Sequence, residues 1–210
     1  MSNCETINLP SLAVEQYQVR EVLRCLLQTI IFNRALGPVR PREVDSELFD
    51  ITYVQCGDEK VDAKIEEKIN QFYAWVEKHP GKRGQVCLSF FEKRRKQAWF
   101  SKQEERLYWE QWCINVSIIE SNTSIQEQSS FTPQTARAKR HARLQAAVEE
   151  LMDQIIRTVN DKKDHVPPVV SASTVTFPFD VTIAGEGGLS FGLDSVKRML
   201  MQTAPPPVLS

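Results

Sequence analysis

Val19, Val22, Leu23, Leu26, Leu27, Ile30 and Ile31 recur at three-and-four spacing, and this apolar stripe constrains the fold more than any other feature of the chain. Glu21, Arg24 and Gln28 fall on the opposite side, so the spacing predicts an amphipathic helix over about 14–35 whose apolar face a second layer must cover. Gly37, Pro38 and Pro41 end the pattern in an irregular connection. A second stripe, Ile65, Ile69, Phe72, Tyr73 and Val76, predicts a helix over about 60–78 that stops at Pro80-Gly81. A third, Leu144, Val148, Leu151, Met152, Ile155, Ile156 and Val159, predicts one over about 139–160. Short aromatic and β-branched runs at about 48–56, 85–92, 107–120 and 174–183 read as strands. The order helix, strand, helix, two strands, helix, strand predicts an α+β fold in which a mostly antiparallel β-sheet packs against three helices.

At 210 residues the chain suits one domain, which we place over 1–203. Residues 121–137 (SNTSIQEQSSFTPQTAR) are polar enough to form a mobile insertion, and the proline-rich end at 204–210 reads as a disordered tail. Lys plus Arg number 26 against 27 Asp plus Glu, which argues against a nucleic-acid protein relying on global positive charge. Cys4, Cys25, Cys56, Cys87 and Cys113 are odd in number and widely spaced, so reduced thiols are expected and no bridge. The N-terminus lacks a secretory pattern, and every apolar run is too short or too interrupted by charge to cross a bilayer. The expectation is a soluble, cytoplasmic protein.

Catalytic chemistry has no strong signature. His79, His141 and His165 fall at helix ends or beside prolines and read as solvated surface groups. No CxxC or HxxxH pair suggests a metal. Gly185-Glu186-Gly187-Gly188 partly imitates a dinucleotide fingerprint, but Ser190 stands at the third glycine position and about twenty residues remain, too few for a returning strand. A flexible turn is the better reading. Glu59, Asp62, Glu66 and Glu67 interleave with Lys60, Lys64 and Lys68 as on a solvated helix face. No catalytic, cofactor or metal residue is assigned, and the chain is read as a non-enzyme. A small enzyme acting through Cys87 or Cys113 is the rival that thiol substitution would test.

The segment between the two central strands carries the functional candidates. Trp99 and Phe100 sit at what reads as a loop tip, where two large rings fold back, enter a partner's pocket or enter a membrane interface. The basic run Lys93, Arg94, Arg95 and Lys96 precedes them. Charge there keeps a hairpin end soluble, or else it is a candidate contact for an anionic surface, at about 1 kcal/mol per basic residue near a charged membrane. Strict alternation would put Tyr108, Glu110 and Trp112 on one face and Trp109, Gln111 and Cys113 on the other, with large rings on both.

The segments EVLRCLLQTIIFNRALG, ELFDITYVQCG, KQAWFSKQEERLYWEQWCINV, and NDKKDHVPP followed by FPFDVTI together resemble the autophagy-related protein 101 family, most of all its plant-type members, over most of the chain. The resemblance implies a HORMA fold and a non-enzymatic role as an adaptor in autophagosome assembly. Its implied partners are the HORMA domain of autophagy-related protein 13, in a heterodimer, and the serine/threonine kinase and scaffold subunits of the autophagy-initiation complex. It further implies recruitment to the preautophagosomal structure, and an exposed Trp-Phe finger that brings in downstream factors, here Trp99 and Phe100. Some members place a proline between the two aromatics, whereas here they are adjacent. The alternative reading is a peripheral membrane-binding module anchored by residues 93–100.

Overall fold

The structure is a computed structural model that describes residues 4–98, 101–119, 133–169 and 174–185, with backbone alone for 95–98, 101–104 and 133. Its architecture is α+β with three helices and a mostly antiparallel sheet. The strands are β1 (Glu5–Asn8), β2 (Leu12–Glu15), β3 (Arg42–Asp45), β4 (Thr52–Gln55), β5 (Arg83–Ala98), β6 (Ser101–Ile119) and β7 (Phe179–Gly185). The helices are α1 (Val19–Asn33), α2 (Glu59–Lys78) and α3 (Pro133–Asp161). The main sheet runs β1-β6-β5-β7, with β2 continuing along β6 where β1 leaves it. β5 pairs antiparallel with both β6 and β7, while β1 and β2 lie parallel to β6. Pro10 interrupts this edge, and Asn115 Nδ2 bridges the break by donating to the Leu9 carbonyl at 2.9 Å. A separate antiparallel hairpin joins β3 to β4.

The helical stripes hold except at Ile156, which is exposed instead of facing inward, and the first helix has shorter bounds. Residues 12–15 pair with β6 as β2 instead of opening a helix, and a 3-10 turn at Gln16–Gln18 leads into α1. A reciprocal Glu15–Gln18 capping arrangement makes that entry, with Glu15 N–H donating to Gln18 Oε1 at 3.0 Å. α2 starts where Asp58 accepts N–H bonds from Lys60 and Val61 at 2.8 and 3.3 Å. Gly57 supplies φ 70° just before it, where a side chain would strike the Arg40 carbonyl. α3 begins at Pro133, so the last five residues assigned to the polar insertion are helical, consistent with proline at a helix start. The remainder of that insertion, with the tail, lies outside the described residues.

The core corrects two expectations about sidedness. α1 touches α2, α3 and β4 and is buried almost all round, so Glu21 and Gln28 are enclosed instead of solvated. Glu21 is compensated by Arg24 and by Ser46 Oγ, which donates to it at 2.8 Å, and Gln28 Nε2 donates to Asp62 at 3.0 Å, although Gln28 Oε1 is buried without a partner among the described residues. Arg24 reaches on to Glu66 in α2 at 2.5 Å. The second correction concerns Tyr108 to Cys113. Phe90 stands opposite Glu110 and Phe91 opposite Tyr108, leaving Trp109 as the extra residue of a β-bulge. The bulge breaks the alternation: Trp109 and Trp112 both join the core beneath the helices, while Tyr108 packs on Phe91. Large rings of both tryptophans are therefore covered within the chain.

A third correction is covalent. Cys87 and Cys113 face each other directly across β5 and β6, with Cα atoms 4.2 Å apart, and form a disulfide. Their sequence separation of 26 conceals a strand register that makes them cross-strand neighbours. Cys4, Cys25 and Cys56 are not disulfide-bonded. At the end of the sheet Gly84 and Gly185 stand side by side, and a Cβ on either would fall within 2.6 Å and 2.1 Å of the Phe72 and Trp75 rings of α2. Their lack of side chains lets α2 close down on the sheet.

Candidate functional site

The two central strands are longer than their composition suggests, because charged residues in the 93–106 stretch pair across the hairpin instead of forming a loop. Pairing continues to Ala98 opposite Ser101. The sheet around them stops earlier: β7 last pairs at Phe179 with Phe90, and β1 begins at Glu5 with Glu110. From Phe91 to Ala98 and from Ser101 to Tyr108 the strands therefore form a two-stranded arm among the described residues. At about 3.3 Å per residue its length is on the order of 20 Å. Trp99 and Phe100 themselves lie outside the described residues.

The basic run belongs to this arm. Lys93 and Arg94 are exposed; the side chains of Arg95 and Lys96 are outside the description. The register sets Lys93 opposite Arg106, Arg94 opposite Glu105, Arg95 opposite Glu104 and Lys96 opposite Gln103. Arg94 also lies 3.5 Å from Glu92. Acids thus stand across from the middle of the run, and opposite-charge cross-strand pairs favour the hairpin.

At the root of the arm, side chains converge on Asp180 of β7. Its Oδ2 accepts from Arg106 Nη1 at 2.6 Å and from the Tyr108 hydroxyl at 2.9 Å. Lys64 of α2 approaches the same carboxylate at 3.7 Å. The Arg106 guanidinium also lies 4.9 Å from the centre of the Phe91 ring. Burial, together with the bond to Asp180, pushes the Tyr108 hydroxyl up to about 12, so it stays protonated and donates.

On the other side of the bulge lies a buried ionic hub that sequence reasoning missed. Glu110 is fully buried and binds Arg34 through Nε at 3.0 Å and Nη2 at 2.6 Å. It also accepts from Trp112 Nε1 at 2.6 Å and meets His165 Nε2 at 2.6 Å. Arg34 spends its remaining donors on the Val159 and Lys162 carbonyls at the end of α3. The hub joins the end of α1, β6, and the segment after α3. Its one sequence signal is a glutamate inside the apolar run Trp109-Glu110-Gln111-Trp112, where burial without a partner would be prohibitive.

The histidines are engaged, not solvated. His165 belongs to the hub, His79 stacks on Trp75 at 4.8 Å, and His141 stacks on Phe49 and meets Gln18 at 3.3 Å. No cluster of metal-ligating side chains exists among the described residues. Burial pushes the Cys25 thiol up to about 12 and the Cys56 thiol to about 11, which disfavours thiolate chemistry at either. Cys87 and Cys113, the rival nucleophiles, are bonded to each other. No helix among the described residues is long and apolar enough to cross a membrane.

Comparison with known proteins gives a consistent set of relatives. The family model described as Autophagy-related protein 101 matches residues 11–173. Autophagy-related protein 101 of Arabidopsis thaliana is 47% identical, across 97% of this chain and 98% of its own length. The Schizosaccharomyces pombe protein of that name is 27% identical, across 96% and 97%, and the Homo sapiens one is 26% identical, across 85% and 82%.

Proposed function

Because the chain belongs to the autophagy-related protein 101 family, we propose that it is a non-enzymatic adaptor of autophagy initiation. In this reading it is a HORMA-fold subunit that pairs with the HORMA domain of autophagy-related protein 13 and recruits downstream factors through Trp99 and Phe100. The kinase and scaffold subunits of the initiation complex complete the assembly. The protein works in the cytoplasm and moves to the site where autophagosomes form. The α+β order and mostly antiparallel sheet agree with the HORMA fold that the family resemblance implies.

The observation that carries the reading is the arm. β5 and β6 leave the sheet together and stay paired to Ala98 and Ser101, on either side of the Trp-Phe pair. A long hairpin that presents two adjacent aromatics suits a small interface whose energy rests on few residues, each costing on the order of 2 kcal/mol or more when truncated. A membrane anchor is the alternative, and Glu104 and Glu105 across from Arg95 and Arg94 weigh against it.

The test is the double variant Trp99→Ala, Phe100→Ala. Its melting temperature should stay within about 2 °C of the parent and its partner binding should persist. Recruitment of downstream autophagy factors in cells should be lost. Normal recruitment, or a collapsed fold, would reject the finger. Lys93→Glu with Arg94→Glu separates the two readings, since recruitment should survive it while a lipid anchor would release from anionic vesicles.

A further inference from the structure

An isolated two-stranded hairpin is marginal in water, and one leaving a sheet at a bulge has no third strand to fix its direction. The β5–β6 arm meets both conditions beyond Phe91, whose N–H still donates to the Pro178 carbonyl at 2.9 Å. Past that one backbone bond, its direction depends on side-chain ties at the root. Arg106 and Tyr108, both on the arm strand β6, bond to one oxygen of Asp180, which belongs to the neighbouring strand β7. Asp180 follows Phe179, whose ring is buried against Phe90, so the carboxylate is held by the core. Lys64 holds it further from α2, donating to the Phe179 carbonyl and lying 3.7 Å from Asp180 Oδ1. The Phe91 ring is clasped between Tyr108, 5.3 Å away, and Arg106. One carboxylate on the sheet thus receives two donors from the arm, the arrangement that holds a group in place.

We propose that Asp180 is a positioning residue: through Arg106 and Tyr108 it fixes the angle at which the β5–β6 arm leaves the sheet, and so where residues 99–100 are presented. The functional half of this rests on the adaptor reading above; the geometric half does not. An ordinary exposed ion pair would leave the arm's direction unchanged when removed.

Spin labels on Arg94→Cys in the arm and Asn70→Cys on α2, in a Cys4→Ser background, report the arm's angle as a distance distribution. The buried Cys25 and Cys56 thiols stay protonated and label poorly. Asp180→Ala should at least double the width of that distribution, and Arg106→Gln, made from the arm's side, should do the same. Asp180→Glu should restore a narrow one. The Ala variant should also reduce autophagosome formation sites several-fold in cells lacking the native protein, with partner binding intact. An unchanged width in both Asp180→Ala and Arg106→Gln overturns the proposal. A widened distribution with full recruitment in Trp99→Ala, Phe100→Ala upholds the positioning role and instead removes the finger.

Discussion

A carboxylate with no exposed surface, such as that of Glu110, survives in a protein only while its neighbours hold it. Arg34, His165 and Trp112 all bind it, so changing Glu110 affects three other groups at once. Glu110→Gln leaves the Arg34 charge buried without its counterion, a loss of about 3–5 kcal/mol. For a domain of this size that lowers the melting temperature by roughly 6–20 °C. Replacing both ends, Arg34→Met with Glu110→Leu, should recover much of the loss, because no orphaned charge remains. Thermal unfolding of the three proteins checks this, and a fall of under about 2 °C in the single variant would contradict it. Nothing local in the sequence marks Arg34 as the partner of a residue 76 positions away. Residue-scale facts that depend on register, this pair and the Cys87–Cys113 bond among them, were for that reason illegible from sequence.

Elements were legible in proportion to their periodicity. The stripes of α1, α2 and α3 repeat over several turns, so all three helices and their C-terminal ends were legible, while the starts of α1 and α3 were misplaced by five or six residues. The four-residue strands β1, β2 and β3 offer too few alternations to stand out, and β2 was absorbed into the first helix. The outer halves of β5 and β6 failed for a different reason: charge on both faces erases the apolar alternation that marks a half-buried strand. The cystine links those same two strands. Denatured without reductant, the protein should titrate three thiols, and five after reduction. Alkylation of the folded protein near pH 8 should spare Cys25 and Cys56, whose thiols burial keeps protonated. Five thiols without reductant would remove the bridge.

At the scale of the molecule, the sheet has two outer edges among its described strands, one made by β1 and β2 and the other by β7. The first is short and broken at Pro10, yet it covers β6 where Glu110, Trp112 and Ile114 are buried. Lys162 pairs with Glu5 and fastens β1 to the segment after α3. Removing residues 1–9 should therefore expose an unpaired apolar strand edge and produce association. Light scattering after size exclusion should show higher-order species, and a monodisperse monomer would contradict the expectation. The α+β class and the helices were legible at this scale. The projecting arm was not, although its Trp-Phe pair drew attention to that stretch. The single extra residue at Trp109 carries a last consequence. It inverts the parity of β6, so the described side chains from Glu105 to Tyr108 face the side opposite to the one an unbulged strand would give them. Lengthening the arm by one residue on each strand would turn the tip over, and lengthening it by two would turn it back. A relative could therefore vary the reach of this arm in even steps and keep the same residues facing the same way.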